Sequence, residues 1–182
     1  MEYKLIRSKR RTLAAQIVHG ELVIRAPFYA TAREIDAFIS NNRKWIETHL
    51  SKAREIEKRA EAYPTLSAED IKALATKAKK VIPERVKYYA PLIGVTYGRI
   101  SIRSQRTRWG SCSAKGNLNF NCLLMLTPPE VIDSVVVHEL CHRKEMNHSQ
   151  KFYAEVLRVF PNYEKCHKWL KKNGPVLMAM MQ

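Results

Sequence analysis

The chain has 182 residues, with 32 Lys and Arg against 17 Asp and Glu, a formal net charge of +15 and a pI near 9.9. Apolar residues make up 46% and charged residues 27%, a globular composition rather than a disordered one, and the length suits one domain or two small lobes with a core that needs no staples. No apolar run approaches the ~18 residues of a spanning helix, Met1-Glu2-Tyr3-Lys4 opens no apolar signal region, and Cys112, Cys122, Cys141 and Cys166 form neither a CxxC pair nor a dense framework; membrane, collagen and disulfide-scaffold classes are excluded, and the chain reads as a reduced cytoplasmic protein.

The charge is spread along the chain: residues 1–60, 61–98 and 99–182 carry net +6, +2 and +7. Such a balance suits a nucleic-acid or phosphate partner, and equally a soluble protein with neither. Residues 3–27 read as strands. Residues 13–18 and 21–25 flank His19-Gly20, a hairpin signal, and Pro27 ends the second strand. Thr31 with Glu34 three residues on makes a capping box for a helix whose packed face holds Ile35, Phe38, Ile39, Trp45, Ile46 and Leu50. Its charged later half, residues 51–61, reads as solvated, and Tyr63-Pro64 breaks it. Ser67 caps a second helix through Ile71, Leu74, Ala78, Val81, Ile82, Val86 and Tyr89, with a kink expected at Pro83 and an end at Pro91 and Gly94.

Two runs then alternate with the period of strands: residues 99–103 and residues 117–122. In the second, Leu118, Phe120 and Cys122 share one face and three asparagines the other. The loop between holds Trp109-Gly110-Ser111-Cys112-Ser113 and a Lys115-Gly116 turn. Thr127-Pro128-Pro129-Glu130 reads as a capped helix start. The helix runs through a β-branched, buried stretch into His138-Glu139-Leu140-Cys141-His142.

That HExxH spacing has a physical basis. Residues four apart lie one above the other on a helix, so His138 and His142 can reach one cation, and Glu139 can act on a water beside it. His148 follows six residues after His142. The interval matches the metzincin ligand spacing, but Glu145 stands where metzincins place glycine, leaving Met146-Asn147 to make the turn. Ser149 caps a helix from residue 150 to 160, stopped by Pro161. Three histidines and an open position are a catalytic rather than a structural site, holding one zinc ion per chain. His167 and Glu164, one turn apart on the last helix, are candidates to support the ligands or replace one. His19 and His49 read as turn and surface residues, and Cys141 as a small core residue.

At Arg103, at Arg108-Trp109-Gly110-Ser111-Cys112-Ser113, at Gly116-Asn117-Leu118-Asn119, and at Val135-Val136-Val137-His138-Glu139-Leu140-Cys141-His142, Asn147-His148-Ser149 and Phe152, the chain resembles the YgjP-like metallopeptidase family, related in pattern to SprT-like zincins. The resemblance extends to Arg25-Ala26-Pro27 and Trp45-Ile46. Cys141 and Tyr153 depart from it, at positions that often hold Ala and Trp. It implies an α+β, zincin-like fold: a small antiparallel or mixed sheet on an active-site helix, with His138, His142 and His148 as ligands and Glu139 as catalytic base. An N-terminal hairpin-and-helix lobe, residues 1–62, precedes a catalytic domain, residues 63–182, unless the two form one compact unit.

The leading reading is a zinc peptidase acting on peptide or protein, aligned on an edge strand at residues 117–122 or 99–103, with Tyr153, Asn119 or His167 as oxyanion partner. A rival keeps the metal and takes a nucleotide or other phosphate ester. Arg99, Arg103, Arg106 and Arg108 are its phosphate forks, with Trp109 stacking on a base. A third is a DNA-associated zinc protease whose basic surface recruits nucleic acid. No membrane partner is expected.

Overall fold

The computed structural model describes residues 1–18 and 20–181; His19, read above as a turn residue, and Gln182 lie outside the described residues. The fold is α+β. The described residues form six strands, six α-helices and one 3-10 helix, divided into two compact units, Met1–Tyr63 and Pro64–Gln182.

In the first unit, β2 (Ala14–Val18) and β3 (Glu21–Pro27) pair antiparallel, as the hairpin signal implies. A third strand, β1 (Lys4–Ser8), lies parallel to β3 on its other side. Thr31 and Glu34 form the expected capping box: Thr31 Oγ1 accepts the Glu34 N–H, and a Glu34 carboxylate oxygen accepts the Thr31 N–H at 2.7 Å. The single helix expected here is two, α1 (Ala32–Asn41) and α2 (Arg43–Ala60). At the break, the Asn42 side-chain amide donates to the Phe38 carbonyl, competing with the backbone ladder. Leu22, Ile24, Ala26, Ala30, Ile35 and Ile46 are the core. Trp45 is not on the packed face. It is 42% exposed and stacks on His49, while Ile46, about 100° further round the helix, takes the buried side.

In the second unit, α3 (Ala68–Ile93) opens with a Ser67–Asp70 capping box and closes at Gly94, whose φ of 77° is left-handed. Pro83 lies within it, and so does Pro91, in its last turn. The sheet runs β4 (Ile100–Arg103), β6 (Leu118–Asn121), β5 (Gly110–Cys112) in space, with β4 parallel and β5 antiparallel to β6. β5 was not anticipated: three small residues carry no readable alternation. β6 is the central strand, so residues 117–122 cannot supply the free edge expected of them. Asn121 is buried rather than outward. Its amide donates to the carbonyls of Gln105 and Arg108, at 2.6 and 2.9 Å, and so pins the connection between β4 and β5. Cys122 leaves the strand to begin the 3-10 helix Cys122–Leu126.

Thr127 does not cap the next helix. Its hydroxyl donates to the Leu124 carbonyl at 2.8 Å, closing the 3-10 helix, and Pro128 is the residue flanking α4 (Pro129–Cys141). Ser149 caps α5 (Gln150–Val159), and α6 (Tyr163–Ala179) ends the fold with Val176, Met180 and Met181 buried. α4 is central: Val131, Val135, Val136, Val137, Leu140 and Cys141 are all buried, so almost every side of it meets protein. No helix among the described residues is long and apolar enough to cross a membrane.

Candidate metal centre

α4 is tied to α3 by charge as well as packing. Arg85 donates bidentately to the Asp133 carboxylate at 2.5 and 2.7 Å, and Tyr89 adds its hydroxyl at 3.2 Å. One turn after Asp133, the chain presents His138, with His142 immediately beyond the helix end.

His138, His142 and His148 converge. One nitrogen from each lies within 4.8 Å of the others, the one such donor cluster among the described residues. The Nε2 atoms of His138 and His148 are 3.1 Å apart. Tetrahedral zinc with nitrogens at ~2.0–2.1 Å sets its ligands ~3.3 Å apart, so this spacing suits a shared cation. The Nδ1 atoms of His138 and His142 have protein partners of their own. His142 Nδ1 lies 3.0 Å from the Glu145 carbonyl, which can only accept, so the proton sits on Nδ1 and the Nε2 lone pair is free for a metal. His138 Nδ1 lies 2.8 Å from the Tyr163 hydroxyl. Phe152, fully buried, is the common floor, its ring centroid 4.5–5.0 Å from all three imidazoles. Burial, with the other histidines adding to it, holds the His138 pKa down to about 3; burial also lowers His142. Both rings are therefore neutral, the form that binds metal.

Glu139 faces the sheet. It is buried, and desolvation pushes its carboxyl up to about 8, partly countered by the Arg108 guanidinium. β5 comes so close that a Cβ on Gly110 would lie 2.6 Å from Glu139 Oε1 and 2.7 Å from its Cγ. Gly110 is needed for space, not for its backbone angle. The sheet edge beside the carboxylate is thus β5. Arg143 braces this corner, donating to the Thr96 carbonyl at 3.1 Å and the Ala114 carbonyl at 3.2 Å.

The other candidates lie as follows. Tyr153 is 40% exposed, its ring 6.2 Å from that of His148. Asn119 donates to Ser111 Oγ at 3.2 Å within the sheet. His167 is exposed and stacks on Tyr163 at 5.7 Å, outside the donor cluster; Glu164 is exposed beside it. The four arginines do not gather. Arg99 and Arg103 line a groove with Lys79 and Pro83 on the β4 side, Arg106 is exposed in the connection, and Arg108 acts on Glu139. Trp109 is half-buried, with Gly174 of α6 packed against its indole. Cys112 pairs with Leu118 across β5 and β6, while Cys122 is buried in the 3-10 helix; all four cysteines are free. Sequence reasoning passed over Tyr163, and it named Phe152 and Gly110 only within the family resemblance, with no role at the site. The only local signal was that Tyr163 sits one helical turn before His167.

No curated protein matches this chain. Among solved structures, the zymogen of abylysin, a metallopeptidase from Pyrococcus abyssi, is similar over 50% of this chain and 94% of its own, with 21% identity and a TM-score of 0.46. The zymogen of jannalysin, a metallopeptidase from Methanocaldococcus jannaschii, is similar over 52% of this chain and 97% of its own, with the same identity and TM-score. The model for the YgjP-like metallopeptidase domain matches residues 64–173, a span that takes in all three histidines and Glu139. The chain belongs to the YgjP-like metallopeptidase family.

Proposed function

We propose that this chain is a zinc-dependent peptidase in which His138, His142 and His148 hold the metal and Glu139 is the general base. The observation that carries the reading is the convergence of three imidazoles, with the buried Glu139 carboxyl on the same helix and against the edge strand β5. Imidazole donors suit zinc, which when bound supplies Lewis acidity and lowers the pKa of a water. Glu139 takes the proton of the attacking water and returns it to the leaving amine. Its buried setting favours the neutral carboxyl once the proton has arrived, which suits a group that must hold a proton and release it. An extended substrate pairs along β5, the strand beside Glu139. Tyr153, exposed next to His148, is best placed of the three suggested groups to steady the developing oxyanion. Scattered free thiols support a reducing, cytoplasmic setting.

The phosphate-ester reading has less support. Of its four arginines only Arg108 acts on Glu139, and the Trp109 indole is engaged with Gly174. One experiment addresses both. Wild type and Glu139→Gln are assayed on an unfolded protein and on nucleoside triphosphates, with metal content measured for each. The expected result is equal metal, peptide hydrolysis in wild type, and its loss in the variant by a factor of 10³ or more. Undiminished proteolysis in Glu139→Gln would refute the assignment, and a triphosphatase activity lost in the variant would favour the rival.

A further inference from the structure

The first unit lies outside the segment that carries the metal centre, and one end of its sheet is unusual. β1 and β3 are parallel, so both strands finish at the same end. The connections that leave them, residues 9–13 and 28–31, meet there. Tyr29 donates its hydroxyl to the Arg11 carbonyl at 3.2 Å. Arg7 Nη1 contacts the carbonyls of Pro27, Phe28 and Ala30, at 3.0, 3.0 and 2.9 Å. The loop is clamped from both sides, yet its two aromatic residues face solvent: Phe28 is 63% exposed and Tyr29 73%, the highest values of any large apolar side chain described. A loop held this firmly does not expose aromatic surface for want of packing partners, since Ala30 and Pro27 beside it are buried.

The charge at this end is one-sided. Residues 7–13, which end β1 and leave it, contain Arg7, Lys9, Arg10 and Arg11 and no acidic residue. Lys9, Arg10 and Arg11 make no ion pair among the described residues. The nearest carboxylate in the adjoining helix, Glu34, is turned back onto Thr31; Asp36 follows on the exposed side of α1.

We infer that this end of the sheet, where Phe28 and Tyr29 meet the basic run Lys9, Arg10 and Arg11 that leaves β1, is a binding platform for single-stranded nucleic acid. Aromatic faces accept unstacked bases of any sequence, and adjacent lysine and arginine groups follow the phosphates. A duplex hides its base faces, so it gains only from the charges. Anionic lipid would meet the same cations, but membrane-surface binding scales with buried apolar area, and the clamped loop, residues 27–31, offers two rings and no amphipathic helix face. The inference is independent of the metal centre and of the proposed peptidase activity.

The test is fluorescence anisotropy with a labelled single-stranded 20-mer and the matching duplex, using the full chain between 50 and 200 mM salt. Binding of the single strand tighter than the duplex is expected. Phe28→Ala/Tyr29→Ala weakens single-strand binding about tenfold or more and leaves duplex binding unchanged. Lys9→Ala/Arg11→Ala lowers the slope of log K against log salt by about 1.4, near 0.7 for each cation removed. Tyr29→Trp retains binding, and its fluorescence is quenched by the oligonucleotide. That variant keeps the question decidable if the double alanine variant loses its circular dichroism. Absence of binding at 50 mM salt, equal affinity for strand and duplex, or affinity indifferent to Phe28 and Tyr29 would overturn the inference. So would aromatic-dependent binding to phosphatidylserine vesicles that oligonucleotide does not displace.

Discussion

Tyr163 and His138 stand 25 residues apart in the chain and share a contact of 2.8 Å. The phenol fixes the orientation of the imidazole from behind, and it is buried, which raises its own pKa and keeps it protonated. Removing only the oxygen isolates that role. Tyr163→Phe is expected to weaken metal binding by about 10- to 100-fold, measured by competition with a chelating dye, while the fold persists. Gly110 makes a different demand. An added methyl group overlaps the Glu139 carboxylate, so Gly110→Ala is expected to lower kcat by an order of magnitude or more with metal content unchanged. Normal turnover in that variant would show that Glu139 can relocate without cost. At this scale the proposed ligands were readable, because His138, Glu139 and His142 follow helical spacing and His148 comes soon after. Tyr163 and Gly110 were not, because each matters through a neighbour that only folding supplies.

Helix starts are the elements that local sequence determines best. Thr31 with Glu34 and Ser67 with Asp70 form capping boxes within four residues, needing nothing from elsewhere. Thr127 shows the limit: the preceding 3-10 helix takes its hydroxyl, so a good capping sequence does not cap. The connection carrying His148 is held to α5 by Glu155, which pairs with Lys144 at 2.6 Å and Arg158 at 2.7 Å. Arg158 first, and then Lys144, depress the Glu155 pKa from 4.5 to about 2. The unfolded chain holds the proton more tightly, so the pairing stabilises the fold above about pH 4.5, and that stability is lost as pH falls toward 2. Glu155→Gln is therefore expected to flatten the dependence of Tm on pH between about 4.5 and 2, followed by thermal melts. An unchanged acid slope would place that sensitivity elsewhere.

For the molecule as a whole, the metal is a stability term as well as a chemical one. Three imidazole nitrogens within 4.8 Å of one another make the folded state the one that binds a cation. At a metal concentration 100 times Kd, binding to the folded state adds about 2.7 kcal/mol. Chelation is expected to lower Tm, and zinc to restore it; an identical Tm with and without metal would argue against a site formed in the native state. The net charge of +15 also changes meaning at this scale. It does not gather at the metal centre but is spread along both units; its local concentrations include a basic sheet end in the first unit and a groove on the β4 side of the second, while a single arginine acts on Glu139. The sequence by itself determined the grouping of the three histidines proposed as ligands, the capping boxes and the core of α4, because helical periodicity and local hydrogen bonding relate residues only a few positions apart. Only the tertiary structure decided which sheet edge lies beside Glu139, which phenol backs His138, and where each arginine goes. Those depend on strand order and on contacts across 25 or more residues, which no local pattern encodes.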